Sequence, residues 1–161
     1  SVLLPRQILR FRITMNDQAK LPRILFLCSA NACRSQMAEG WLRYFQSGKF
    51  EALSAGIEAH GLNPIAVEVM AEAGIDISQQ QSNTIEELSP FRTDYVISVC
   101  NQARKRCPKL PAAVKKIHAS FDSPPLLAIE ADNNEKALMH YRRVRDEIRD
   151  FVRNIDAALA A

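Results

Sequence analysis

The sequence predicts a single α/β domain, a three-layer fold in which a four-stranded parallel sheet carries helices on both faces. Apolar runs of strand length alternate along the chain with amphipathic segments of helical period, the pattern of βαβ units. The length of 161 residues suits one hydrophobic core. A composition of 47% hydrophobic and 24% charged residues is that of a packed domain and excludes a disordered or fibrous chain.

The charge balance restricts the possible partners. A net charge of +3 is too small for a protein that must neutralise many phosphates of a nucleic acid. No apolar run approaches the roughly 20 residues that span a bilayer, and the arginines of residues 1–20 interrupt any secretory signal. We therefore expect a cytoplasmic monomer without nucleic-acid or membrane partners. Residues 1–20 are expected to be a flexible extension of a domain formed by residues 21–161.

The first predicted strand is the apolar run of residues 23–28, which leads into a loop of small and polar residues. A helix is expected next, because Met37, Trp41 and Phe45 recur every fourth residue and form one apolar face. Gly48 then indicates the end of that helix.

A second short strand is predicted over residues 50–54, closed by Ala55 and Gly56. Asn63 and Pro64 supply the cap and the first-turn proline of another helix. Gly74 indicates its end.

The second half of the chain continues the alternation. After a polar connection over residues 75–84, residues 85–88 suggest a short helical turn. Residues 95–100 and 114–118 suggest two further strands. The last element is a long helix over residues 135–159, whose apolar residues keep a spacing of three and four.

Parallel sheets bind ligands at the carboxyl ends of their strands, where Cys28 and Cys100 both lie. Cys28 begins a C-x5-R-S sequence between a strand and a helix. The loop N–H groups and the helix N-terminus can bind a tetrahedral oxyanion, and Arg34 can hold two of its oxygens. The same positive field favours the nucleophilic thiolate of Cys28, to which Ser35 can donate a hydrogen bond. The predicted substrate-binding residues are Ser29, Ala30, Asn31, Ala32, Cys33 and Arg34.

The segment CSANACRSQMAEGW, residues 28–41, resembles the active-site loop and first helix of the low-molecular-weight protein tyrosine phosphatase superfamily, particularly its arsenate reductase branch. The resemblance covers roughly residues 22–155. It implies a low-molecular-weight phosphatase-like fold and the reduction of arsenate to arsenite, with a thioredoxin-like protein as the electron donor. Further similar segments are SAGIEAHGLNP (54–64), AGIDIS (73–78), DYVISVC (94–100), CPKLP (107–111), VKKIHASFD (114–122) and YRRVRDEI (141–148).

The remaining cysteines fit the reductase branch of this resemblance. A phosphatase needs one thiolate, whereas a two-electron reduction needs a second thiol to close a disulfide. Cys100 is the candidate for attack on the Cys28–arsenic adduct, and Cys107 for moving the disulfide to the surface. The cations of the predicted loop 101–111 should favour their thiolates. Cys33 is expected to fill space behind the loop.

The resemblance also implies an aspartate general acid directly before a proline, but Ser123 stands at that position. A hydroxyl is too weak an acid to protonate a leaving group at neutral pH. Asp122, one residue earlier, is therefore the candidate acid, although it could equally be a helix or turn cap.

The same resemblance implies a potassium ion beside the loop, and otherwise no tightly bound cofactor. Asn31, Glu39 and Ser54 stand at matching ligand positions, and Asn83 replaces an acid at the fourth. The loss of one negative charge should weaken such a site.

Three alternatives remain open. A zinc site built from the four cysteines is disfavoured, because Cys28 is used by the anion loop. In addition, six residues separate Cys100 from Cys107, whereas structural zinc sites generally use C-x2–4-C pairs. A phosphatase acting on phosphotyrosine would use Cys100 to protect Cys28 through a reversible disulfide. A non-catalytic oxyanion binder or redox sensor would keep the loop without turnover.

Overall fold

Four parallel strands form one sheet in the order β2-β1-β3-β4. The computed structural model describes residues 21–88 and 92–161, so the predicted extension, residues 1–20, lies outside the described residues. The predicted α/β domain with a four-stranded parallel sheet is confirmed. The strands are β1 (Arg23–Cys28), β2 (Glu51–Gly56), β3 (Tyr95–Ser98) and β4 (Lys115–His118).

Seven helices connect and follow these strands within the described ranges. None of them is long and apolar enough to cross a membrane. The helices are α1 (Arg34–Gln46), α2 (Pro64–Glu72), α3 (Ile85–Leu88), α4 (Asn101–Arg106), α5 (Pro124–Ile129), α6 (Asn134–Arg153) and α7 (Ile155–Ala160).

The core lies between the sheet and the helices α1, α2 and α6. Ile24, Phe26 and Leu27 of β1 are fully buried, as the continuous apolar run predicts for a central parallel strand. On α6, residues with a spacing of three and four face the same core, and the indole of Trp41 on α1 donates to the carbonyl of Arg145. A tightly packed β1 and α1 therefore hold the loop between them in a fixed position.

Three predicted boundaries were wrong near the site. β2 does not stop before Ala55 but continues to Gly56, which lies opposite Cys28 in the sheet. The predicted loop 101–111 begins with the helix α4, because the Cys100 sulfur caps its first turn by accepting from Ala103 N–H. β3 correspondingly ends at Ser98 instead of residue 100.

The predicted single helix over residues 135–159 is divided into α6 and α7. Asn154 separates them, and its N–H bonds the carbonyls of Asp150 and Phe151. Ile155 is nevertheless fully buried, so the apolar stripe continues across the break. The apolar spacing alone did not reveal the interruption.

Candidate active site

The loop between β1 and α1 is tied to the chain that follows β2. Four N–H groups, those of Ile57, Glu58, His60 and Asn63, donate to loop carbonyls over 2.8–3.1 Å. The acceptors are the carbonyls of residues 28–30 and 32, which leaves loop N–H groups other than that of Asn31 to face an oxyanion. The nest that the sequence predicts is thus held by a second, parallel stretch of backbone.

Gly56 allows this close approach. A Cβ atom there would lie 2.1 Å from the carbonyl oxygen of Glu58 and 2.7 Å from the backbone nitrogen of Asn31. Asn31 itself has a φ of 48°, in the left-handed region that asparagine tolerates better than most residues. Its side-chain oxygen accepts from the Asn83 N–H and from the Gln36 amide, which fixes the turn.

The Cys28 sulfur lies among hydrogen-bond donors. Asn31 N–H donates to it over 3.1 Å, and Ser35 Oγ lies 2.8 Å away. Because Asn31 Nδ2 donates to Ser35 Oγ, the hydroxyl proton of Ser35 is free to point at the sulfur. Both donors stabilise negative charge on Cys28, as the sequence predicts for a nucleophile.

Cys28 and Cys100 line the same cavity, of about 590 Å³, together with residues 29–34 of the loop except Asn31. The Cys100 Sγ lies 3.8 Å from Ser29 Oγ, at the edge of the loop. Arg34 also lines this cavity, where its guanidinium donates to the carbonyl of Phe121 over 2.9 Å. The structure therefore brings together two thiols that are 72 residues apart, beside a cation suited to an oxyanion.

Cys107 lies away from this cavity, at the other end of α4. Cys100 caps the N-terminus of the helix and Cys107 its C-terminus. Seven helical steps of about 1.5 Å place their Cα atoms about 10 Å apart. A disulfide needs a Cα separation of roughly 4.4–6.8 Å, so α4 must unwind before the two sulfurs can join.

The charges around Cys107 differ from the sequence-based expectation. Burial of the half-buried thiol raises its pKa, and Lys116 on β4 is the cation that lowers it. The cations next to it in sequence, Arg104, Lys105, Arg106 and Lys109, do not contribute to that shift. Position along the chain therefore did not predict which cation acts on the Cys107 sulfur.

The surroundings of Cys33 make its thiol unreactive. It is 5% exposed, and burial raises its pKa to about 12, against a smaller opposing effect of Arg34. A thiol with this pKa is neutral at physiological pH and is a poor nucleophile. A space-filling role is therefore the better interpretation.

The predicted acid, Asp122, and Ser123 both line the cavity. Asp122 Oδ2 accepts from Arg143 Nη2 over 3.1 Å, so its carboxylate is engaged by α6. Ser123, not Asp122, occupies the N-cap position of α5, and its side chain makes no capping hydrogen bond. The alternative interpretation of Asp122 as a helix cap is therefore wrong.

Residues 23–161 match the model of the low molecular weight phosphotyrosine protein phosphatase family. The chain belongs to this family. Among its relatives, arsenate reductase 2 of Staphylococcus epidermidis is 44% identical over 129 residues, covering 80% of this chain and 92% of the relative. An arsenate reductase of Shouchella clausii is 48% identical over 125 residues, covering 78% and 88%. A solved arsenate reductase in a phosphate-binding state superposes with a TM-score of 0.65 at 32% identity, covering 85% of this chain and 98% of that one.

The residues predicted for a potassium ion in this family fit it only in part. Glu39 Oε1 accepts from Ser54 Oγ over 2.7 Å, so two predicted ligands do lie together. The second carboxylate oxygen of Glu39 already receives a charged hydrogen bond from Arg43, at 2.7 Å. The oxygen of Asn31 already accepts two N–H groups. Arg43 thus supplies positive charge where the ion would supply it; the potassium ion stays a prediction, and no step below uses it.

Sequence reasoning missed four residues that hold the site of this family member. Gln36 and Gly56 fix the loop, Arg143 binds Asp122, and Lys116 acts on Cys107. Gln36 directly follows the C-x5-R-S motif, which is a usable signal. The other three act across the fold, and no local pattern points to them.

Proposed function

We propose that this protein reduces arsenate to arsenite and passes the resulting oxidation through three cysteines to a thioredoxin-like dithiol protein. One observation carries the proposal: the Cys100 thiol opens into the same cavity as Cys28. A phosphatase of this fold needs only the first of these thiols. Relatives named arsenate reductases, at 44–48% identity, support the assignment.

The first step is attack by the Cys28 thiolate on As(V). The loop N–H groups and Arg34 bind the arsenate oxygens, and an oxygen leaves as water after protonation. Asp122 is positioned at the cavity to supply that proton. The product is a covalent Cys28–arsenic adduct in which arsenic is still As(V).

The second step is the reduction. The Cys100 thiolate attacks the sulfur of Cys28, a Cys28–Cys100 disulfide forms, and the sulfur–arsenic electron pair leaves with arsenic as arsenite. Two thiols lose two electrons and As(V) gains two. The position of Cys100 at the N-terminus of α4, next to the loop at Ser29, suits this attack.

The third step moves the disulfide outward. The Cys107 thiolate attacks Cys100, Cys28 leaves as a thiolate, and a Cys100–Cys107 disulfide remains. Because these residues cap opposite ends of α4, the helix unwinds during this step. The exposed disulfide is then reduced by a dithiol protein, which restores both thiols.

The roles of the three thiols can be distinguished by the amount of arsenite that each variant forms per chain. Reduced protein is mixed with excess arsenate without any reductant, and arsenite is measured. We expect one arsenite per chain for the wild type and for Cys107→Ser, and none for Cys28→Ser or Cys100→Ser. With NADPH, thioredoxin reductase and thioredoxin, only the wild type should turn over repeatedly.

Hydrolysis of an aryl phosphate is the matched control, since it requires Cys28 but neither of the other thiols. Cys100→Ser and Cys107→Ser should retain it, which shows that the loop is intact. Arsenite release by Cys100→Ser equal to that of the wild type would contradict the relay. Aryl phosphate turnover without any arsenite would assign the protein to the phosphatase activity.

A further inference from the structure

The positive charge of this protein is concentrated in one segment of the chain. Residues 95–121 contain six Lys and Arg residues and no Asp or Glu, although the whole chain is nearly balanced at +3. All six side chains are exposed. The remainder of the chain therefore carries a net negative charge, and the excess positive charge is concentrated in this segment. The six are Arg104, Lys105, Arg106, Lys109, Lys115 and Lys116.

These cations lack the acidic partners that other cations have. Arg23, Arg43, Arg142 and Arg149 each pair with a carboxylate. Within residues 21–88 and 92–161, no salt bridge involves any of the six. Lys115 instead donates to carbonyls near the end of α7. The other five form what we call the basic exit surface: Arg104, Lys105, Arg106, Lys109 and Lys116.

Members of the basic exit surface flank Cys107 along the chain, and Cys107 is the thiol through which oxidation leaves in the proposed relay. Three of its members end α4, immediately before Cys107, and Lys109 follows two residues later. Lys116, on β4, acts electrostatically on the same sulfur. Exposed cations without acidic partners repel each other, so a negatively charged partner that covers them is attracted.

An apolar hollow adjoins this surface. It has a volume of about 670 Å³, and its lining includes Pro108, the residue after Cys107, and Leu110 and Val114. The same lining also contains the charged residues Glu86 and Arg92. A basic rim beside an apolar hollow fits a folded protein with a mixed acidic and apolar face. A nucleic acid offers phosphates for the rim but nothing for the hollow.

We propose that the basic exit surface is the docking site for a small dithiol protein whose face around its reactive cysteine is acidic. This inference rests on the proposed function and names the partner's surface chemistry. The partner's thiolate attacks Cys107 Sγ of the Cys100–Cys107 disulfide, and Cys100 leaves as a thiolate. The partner's second thiol then attacks the mixed disulfide, Cys107 leaves as a thiolate, and the partner is oxidised by two electrons.

The experiment measures kcat/KM for the dithiol protein, with an acidic bacterial thioredoxin as the probe. Arsenate is saturating, and KCl is varied from 20 to 300 mM. Three charge reversals on the basic exit surface are tested: Lys105→Glu, Lys109→Glu and Lys116→Glu. The control is Lys136→Glu, which makes the same charge change on α6, where Lys136 pairs with Asp132. We expect each exit-surface reversal to lower kcat/KM by about 3- to 10-fold at low salt, and the wild-type value to fall about 10-fold over the salt range. The control should match the wild type.

Reduction by dithiothreitol, which is uncharged, distinguishes docking from activation of Cys107. We expect Lys105→Glu and Lys109→Glu to leave this rate unchanged. Because Lys116 lowers the pKa of Cys107, Lys116→Glu is compared only as the ratio of its thioredoxin rate to its dithiothreitol rate. An equal loss with dithiothreitol would show that the lysines only tune the thiol, and would overturn the docking proposal. The docking proposal would also be overturned if neither KCl nor the charge reversals changed kcat/KM for thioredoxin.

Two further outcomes have distinct meanings. Absence of arsenate turnover with either reductant would refute the proposed function itself. Binding of duplex DNA in a mobility-shift assay that the same reversals abolish, with thioredoxin kinetics unaffected, would assign the surface to a nucleic acid and overturn the inference.

Discussion

The carboxylate of Asp122 is bound by the guanidinium of Arg143, 3.1 Å away, at the cavity that contains Cys28. Arg143 also binds Glu147, so it lies between two carboxylates on the outer side of α6. An acid in this position must exchange its bond to Arg143 for one to the departing oxygen. We therefore predict that proton supply by Asp122 requires a small movement of the segment before α5.

Replacement of Asp122 tests this acid directly. Asp122→Asn preserves size and hydrogen bonding but removes the proton, so kcat/KM for arsenate should fall by about 10- to 100-fold. The matched control is Glu147→Gln, which removes the other carboxylate bound by Arg143 and should leave the rate unchanged. An Asp122→Asn rate within twofold of the wild type would show that another group, or water, supplies the proton.

Ser123 offers a gain-of-function test. Ser123→Asp places a carboxyl at the position before Pro124, so hydrolysis of phenyl phosphate should rise by about 10-fold or more. The gain should be much smaller for 2,4-dinitrophenyl phosphate, whose leaving group needs no proton. Ser123→Asn is the control for size and polarity. Equal gains for both substrates would point to altered binding instead of acid catalysis.

The ion pair of Arg43 and Glu39 predicts how the protein responds to monovalent cations. Glu39 is 8% exposed, so Arg43→Met should leave a nearly buried carboxylate without its cation. We expect a loss of about 1–2 kcal/mol, or about 3–6 °C in Tm. Potassium at 100 mM should recover part of that loss, and more than sodium at equal ionic strength. Arg43→Lys keeps the charge and is the control. A wild-type Tm that responds selectively to potassium would contradict the interpretation that Arg43 takes the place of the ion, and would support the predicted potassium site.

The sequence predicted the parts of the site that lie close together along the chain. The nucleophile, Arg34 and Ser35 follow from one loop whose spacing has a physical purpose. The meeting of Cys28 and Cys100 followed from parallel strands that end at one edge. The bond between Arg143 and Asp122 depends on how α6 packs, which no local pattern encodes.

The same limit explains the errors in secondary structure. α4 was missed because five of its six residues are polar or charged, with only Ala103 buried, so they show no apolar stripe. The division at Asn154 was missed because the apolar spacing continues through it. In both cases a capping hydrogen bond, not hydrophobic periodicity, decides where the helix begins or ends.

Differential alkylation can test the inertness of Cys33. Burial raises its pKa to about 12, so at pH 8 almost none of it is thiolate and iodoacetamide should leave it unmodified in the native protein. Raising the pH from 7 to 9 should increase modification of Cys107, whose pKa burial also raises but whose sulfur is half-exposed. Peptide mapping by mass spectrometry gives the extent at each site. In urea all four cysteines should react, and native Cys33 that reacts at the rate of Cys107 would contradict the prediction.

The stability of α4 should set the rate of the last internal exchange. Cys100 and Cys107 cap opposite ends of this helix, so their disulfide forms only from the unwound state. Gln102 is an exposed residue within α4. The variants Gln102→Gly and Gln102→Ala both remove its side-chain amide, but their helix propensities differ by about 1 kcal/mol. The unwound fraction should therefore be about fivefold larger in the glycine variant. The protein is allowed one arsenate turnover without reductant, and samples are quenched over time and mapped for disulfides. The Cys28–Cys100 disulfide should convert to Cys100–Cys107 about fivefold faster in Gln102→Gly than in Gln102→Ala. The rate of the first disulfide should be the same in both, since Cys100 reaches the cavity with α4 intact; equal rates of conversion would mean that unwinding does not limit the exchange.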